Sequence, residues 1–118
     1  MAPVIISIAK HFSRFPGGRL TTDGPSSAEE LRMTLLVPAL RRAETTGERV
    51  TVSLDGTMGY AASFLEEAFG GLVRADGFTA ERLLESMDVS SVETPEYAAD
   101  AMRYVAEADQ ERKVDDEV

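Results

Sequence analysis

Apolar positions along the chain follow two periods. Val50, Val52 and Leu54 alternate with Thr51, Ser53 and Asp55, the period of two that turns one face of a strand into a core. Val4 to Ala9 is short and rich in β-branched residues and reads as another strand, and Val89 to Val92 reads as a weaker one. Helical spacing governs the rest. Leu31, Leu35, Leu36, Ala39, Leu40 and Ala43 form a wide stripe, with Arg32, Arg41, Arg42 and Glu44 largely on the other face. Phe64, Leu65, Ala68, Phe69, Leu72 and Val73 form a second stripe. Leu83, Leu84 and Met87 give a short helix its inward side, and Tyr97, Ala98, Ala101, Met102, Val105 and Ala108 give the last helix one.

Turn and cap residues set the boundaries. Phe15-Pro16-Gly17-Gly18 predicts a hairpin whose return limb, Arg19 to Thr22, is a short polar edge strand ended by Asp23-Gly24-Pro25. Ser27 and Glu30 fit a capping box at the start of the first long helix, and Pro38, which lacks an N–H, predicts a kink or a break near Val37, with the helix ending before Gly47. Ser63 and Glu66 repeat the capping-box pattern, with Ser63 as cap. Gly70-Gly71 costs about 1 kcal/mol of helix propensity per glycine, which calls either for close packing or for a partner at that thin spot. Thr79 opens the short helix, and Thr94, followed by Pro95, caps the last one.

The resulting order is β-β-α-β-α-α-β-α, an α/β fold with a mixed, partly parallel sheet flanked by helices. At 118 residues the chain suits a single domain, expected over residues 1–109; residues 110–118 are acidic and expected to be flexible.

Composition narrows the chemistry. There is no apolar run near the roughly 20 residues of a membrane span, and no basic leader precedes Val4, so a cytoplasmic protein is expected. The formal charge of −9 repels nucleic-acid phosphates and anionic lipids, which makes neither an expected partner. With no cysteine and only His11, the chain lacks thiolates and a multi-histidine set, so no metal, cofactor or enzymatic activity is expected.

The unit from Val50 to Arg74 concentrates the candidate chemistry. Asp55 ends the central strand, where ligands of open α/β sheets tend to sit, and can equally cap the following turn. Gly56 and Gly59 shape a loop, ending in Tyr60, Ala61 and Ala62, that leads into a helix N-terminus, where free N–H groups favour an anion or a phosphorylated side chain. The loop has no lysine after its glycines and no G-x-G-x-x-G pattern. Glu66 and Glu67 repel a diffusing phosphate. One reading is therefore a protein-binding surface built from this loop and the exposed side of the following helix. The alternative is a small-anion or nucleotide binder that uses the same helix N-terminus, with Asp55, Ser63 and Arg19 around it.

Leu54-Asp55-Gly56, Gly59-Tyr60 and the string Ser63-Phe64-Leu65-Glu66-Glu67-Ala68-Phe69-Gly70-Gly71-Leu72 resemble the STAS-like domain of unknown function, a distant relative of the anti-sigma-factor antagonist (STAS) domains. Phe15-Pro16-Gly17-Gly18-Arg19, Gly24-Pro25 and Leu36-Val37-Pro38-Ala39-Leu40 extend the resemblance over most of the chain. It implies a small α/β domain that regulates by binding a protein, with a histidine-kinase-like ATPase as the implied partner. In the antagonists that kinase phosphorylates a serine at this helix start, and the phosphate releases the partner. Their junction reads Asp-Ser-Ser-Gly where this chain has Ala61-Ala62-Ser63-Phe64, so the phosphorylated position falls on Ala62 and Ser63 is the hydroxyl beside it. A phosphate on Ser63 would add about −1.5 to −2 charges beside Glu66 and Glu67, the direction of release. A homodimer through a sheet edge or the Gly70-Gly71 face is compatible with either reading.

Overall fold

The computed structural model describes residues 4–117. Strands β1 (Val4–Ser7), β2 (Val50–Ser53) and β3 (Met87–Ser90) form one sheet in the order β1-β2-β3, both pairings parallel. Five helices accompany it among the described residues: α1 (Ile8–His11), α2 (residues 28–46), α3 (residues 62–74), α4 (Ala80–Ser86) and α5 (Pro95–Asp116). Both crossovers step the same way across the sheet, so right-handed connections place α2 and the α3–α4 pair on one face, and α5 packs along α3. Register explains the core. Val4, Val50 and Met87 share one row and Ile6, Val52 and Val89 another on the helix-covered face, whereas Ile5, Thr51 and Asp88 share a row on the opposite face. That opposite face is polar apart from Ile5, which is 59% exposed.

The expected hairpin does not form, and the sheet is wholly parallel rather than mixed. Ser7 ends β1 early by capping α1, its Oγ accepting from the Lys10 N–H at 3.2 Å. Residues 17–19 then dock on the start of α2: the Ala28 N–H donates to the Gly18 carbonyl at 2.9 Å and the Glu29 N–H to the Arg19 carbonyl at 3.0 Å. With those carbonyls engaged, Arg19 to Thr22 cannot return along β1, and Thr21–Asp23 closes as a 3-10 turn. The last strand begins at Met87 rather than Val89.

Ser27 caps α2 as its sequence predicts, accepting from the Glu30 N–H at 3.1 Å, and Gly47 ends the helix with φ +79°. Pro38 does not break α2. The turn before it, Arg32–Leu36, is π-helical, and the Val37 N–H reaches the Arg32 carbonyl five residues back. That extra residue shifts the buried stripe, so Leu31 is followed by Leu36, Leu40 and Ala43 in the core, while Leu35 and Ala39 are only half-buried. A second π-helical turn, Glu66–Gly70, lies in α3, which is buried along most of its length from Phe64 to Val73. Leu83 and Met87 face inward, but Leu84 is 60% exposed. The acidic end expected to be flexible continues α5 as helix through Asp116, where Arg112 pairs with Asp109 at 3.2 Å and with Asp116 at 3.1 Å; Val118 lies outside the described residues.

Candidate functional site

Parallel strands bring all their C-terminal ends to one side, so the loops after β1, β2 and β3 meet there. Asp55 ties two of them together: its Oδ1 accepts from the Val92 and Glu93 N–H groups, both at 2.9 Å. Glu93 answers with Oε1, which accepts from the Gly56 N–H at 2.7 Å. Asp55 therefore caps the β3–α5 loop rather than the turn that follows it. Gly56 and Gly59 have φ of +89° and +120°, values a side chain adopts only with strain, and a Cβ on Gly56 would lie 3.0 Å from that of Ala9.

Tyr60 anchors the loop from below. Its hydroxyl donates to the Leu54 carbonyl at 2.9 Å, its ring meets Tyr97 edge-on at 5.1 Å, and burial pushes its phenol up to about 12. The ring and its hydroxyl thereby pack the loop onto the end of β2 and the start of α5.

Helix α3 begins two residues earlier than its sequence predicts. Ala61 occupies the cap position with no side-chain bond, its carbonyl accepting from the Phe64 and Leu65 N–H groups at 3.1 and 3.2 Å. Ser63 is thus inside the first turn, and its side chain is exposed rather than capping. Glu66 does not close a capping box either. It pairs with Arg19 at 2.6 Å and Arg74 at 2.9 Å, and those two guanidiniums, Arg74 foremost, hold its carboxyl below the usual range. Glu67 is buried and meets Arg32 at 2.9 Å, with Arg19 and Arg74 each at 3.4 Å; Arg32 also pairs with Asp76 at 2.6 Å.

Three arginines and three carboxylates thus form a neutral cluster that ties the Arg19 segment and α2 to α3. The arginine considered for a free anion is already held by carboxylates, and its own basicity is raised chiefly by Glu66. The sequence reading placed Arg32 on the polar face of α2, whereas it is 4% exposed. The sign that could have revealed it is Glu67, an acid between Leu65 and Ala68 in an otherwise apolar helix, since a buried charge requires an opposite partner. Gly70 and Gly71 serve this packing. A Cβ on Gly71 would stand 2.6 Å from Arg32 Nε, and one on Gly70 2.6 Å from Glu66 Oε2 and 3.4 Å from the Tyr104 carbonyl of α5. Both glycines are buried, so that thin spot is closed to a docking partner or a second copy.

The partner surface expected along α3 shrinks accordingly to its first turn, residues 61–63, because the rest faces the core, α5 and the charge cluster. The large apolar side chains that stay open at this end lie on the loops. The loops after α1, β2 and β3 present large exposed apolar side chains: Phe15 at 67%, with Leu20 at 41% further along the same loop, Met58 at 72% and Val92 at 83%. The Met58 N–H donates to the Arg14 carbonyl at 2.8 Å, which sets Met58 beside the backbone that carries Phe15. Sequence periodicity could not identify these side chains, because exposure in a loop has no period.

Among the described residues no group of three or more His, Asp or Glu side chains is placed to hold a metal ion, and no helix is long and apolar enough to cross a membrane. No curated protein and no solved structure matches the chain. The family model of the STAS-like domain of unknown function matches residues 27–96, which run from the cap of α2 to the first turn of α5 and include the Asp55 clamp, the glycine loop and the whole of α3. A match over more than half of the sequence makes the conclusion plain: the chain belongs to the family of STAS-like domains of unknown function.

Proposed function

We propose that this domain is a non-enzymatic regulatory or adaptor module that binds a protein partner at the C-terminal end of its sheet. The contact surface is the loop of residues 56–62, the first turn of α3 and the adjoining Phe15 segment. One observation carries the reading: three separate loops, fixed to one another by the Asp55 clamp and the Met58–Arg14 hydrogen bond, each expose a large apolar side chain. Rigid loops with exposed apolar side chains lose little entropy on docking and offer area to bury, as interface anchors do. Asp55, Tyr60, Glu66, Glu67 and Arg19 all have structural partners already, which favours a docking surface over a reacting site. A histidine-kinase-like ATPase is the partner class proposed from the family resemblance. Ser63, exposed beside the loop, is the position where added charge would interrupt the contact.

Affinity capture from native cells with a photocrosslinker at Thr57 tests the proposal. Capture of a protein partner is expected, falling about tenfold or more in Met58→Glu and in Ser63→Glu, with both variants keeping the native thermal midpoint. Capture unchanged by Met58→Glu and by Phe15→Glu would overturn the docking surface. A thermal shift with nucleotides or phosphate that Arg19→Ala abolishes would favour the small-anion binder instead.

A further inference from the structure

The far end of the molecule, beside β1, carries a second open feature. β1 is an edge strand, and its pairing with β2 turns the Val4 and Ile6 peptides inward, so Ile5 and Ser7 present theirs outward. The outward Ser7 N–H is already taken by His11 Nδ1 at 2.9 Å, which leaves Ile5 as the residue whose donor and acceptor both face out. Next to this edge, α2 overhangs the sheet and leaves a groove of about 270 Å³ lined by Val4, Ile6, Leu35, Ala39, Arg42 and Glu48 among others. Leu35 and Ala39 are the two apolar residues that the π-helical turn moved out of the core stripe. Arg42 and Glu48 form no ion pair among the described residues.

We propose that this groove and edge form a two-fold interface between two copies of the chain, with the β1 strands antiparallel about Ile5. Three observations select a second copy as the occupant. A two-fold at Ile5 needs one outward peptide and no more, because each Ile5 donates to and accepts from its counterpart; a longer incoming strand would meet a Ser7 N–H already taken by His11. The pairing also sets the two Ile5 side chains against each other on the polar sheet face, covering its one large exposed apolar group. The charges lining the groove are complementary as well: Arg42 and Glu48 supply one cation and one anion per chain, the set from which an isologous contact makes two ion pairs. Long-range repulsion between two chains of charge −9 is screened beyond about 8 Å at physiological salt. This interface lies at the opposite end from the partner-docking loops and does not depend on them.

Sedimentation equilibrium of the whole chain at about 0.15 M salt is the first measurement. The expected result is a concentration-dependent mass approaching twice 12.8 kDa. Arg42→Glu and Glu48→Arg should each weaken association about tenfold or more, and the double swap in one chain should restore it, as a pairing of Arg42 with Glu48 between copies requires. Amide exchange at Ile5 should slow as concentration rises, a readout that needs no variant. A chain that is monomeric throughout with Ile5 exchange independent of concentration would overturn the proposal. So would a dimer whose affinity neither single swap changes, or a monomer that takes up an extended peptide of another protein at Ile5.

Discussion

Single residues in this domain are constrained mainly by the charge cluster between α2 and α3. Arg32 is buried with its guanidinium held by Glu67 and Asp76, and Gly71 leaves the room for it. In Gly71→Ala the new methyl would meet Nε, Cδ and Cζ of a side chain that cannot move without leaving two carboxylates behind. A loss of about 2–3 kcal/mol in urea unfolding is expected, of the size overpacking produces. Gly70→Ala should cost less, because its closest conflict is the free end of Glu66, which can swing outward. Equal losses at the two positions would show that Arg32 is not the obstacle. Glu66 gives a pH signature. Arg74 and Arg19 hold its folded pKa below the ordinary 4.5, so its stabilising contribution is fully present above that value and disappears as pH falls through the lowered one. Glu66→Gln should therefore be less stable than the parent by up to about 1 kcal/mol near neutrality, with the gap closing in acid. A gap that stays constant down to the acid unfolding limit would mean that the ion pairs contribute nothing.

At the scale of elements, the π-helical turn of α2 decides which leucines the core receives. The stripe read from the sequence contains both Leu35 and Leu36, and an uninterrupted α-helix would favour the run 31, 35, 39. The extra residue ahead of Pro38 turns Leu36 fully inward and moves Leu35 to the groove. Leu36→Ala should then cost about 3 kcal/mol or more and Leu35→Ala less than about 1.5 kcal/mol, compared by denaturant midpoints. The reverse ranking would mean an α2 without the bulge. This contrast shows what local patterns convey. Alternation at Val50, Val52 and Leu54 and the caps Ser27 and Thr79 identified β2, α2 and α4, because each rests on neighbours within a few residues. The false hairpin at Gly17-Gly18 and the false cap at Ser63 share a different origin. Residues 17–19 are captured by the start of α2 and by Glu66 and Glu67, and α3 starts at Ala62, with the Ala61 carbonyl accepting its first bonds. Tertiary partners outweighed local preference at the hairpin; at Ser63 they drew Glu66 away to Arg19 and Arg74, and the Ala61 carbonyl took the place of the serine cap. Thr94 behaves likewise: it precedes Pro95 at the expected position, but its side chain caps nothing, and Ser91 Oγ bonds its backbone instead, accepting from the N–H and donating to the carbonyl.

The whole molecule is a two-layer arrangement, one parallel sheet with helices on a single face, and this is its least common feature, since parallel sheets are mostly covered on both faces. The polar rows on the second face explain why it tolerates exposure. Ser7, Ser53 and Ser90 stand side by side at the C-terminal end, and Asp88, in the row of Ile5 and Thr51, is bound in a bidentate pair by Arg49 at 2.9 Å. Neighbouring residues of β2 therefore sit in opposite environments. Val52, wholly buried under the helices, should lose about 2 kcal/mol or more on truncation to alanine, the transfer and cavity cost of a filled core site. Thr51 is half-exposed on the other face, and Thr51→Val, which removes a hydroxyl and keeps the β-branched shape, should stay within about 0.5 kcal/mol of the parent because water continues to reach the site. If a second chain sat over that face instead of only at its β1 edge, Thr51→Val would shift stability with protein concentration. The edge-to-edge pairing leaves the centre of the face wet, so the small effect of Thr51→Val should be the same in monomer and dimer, measured by unfolding at two concentrations on either side of the association midpoint.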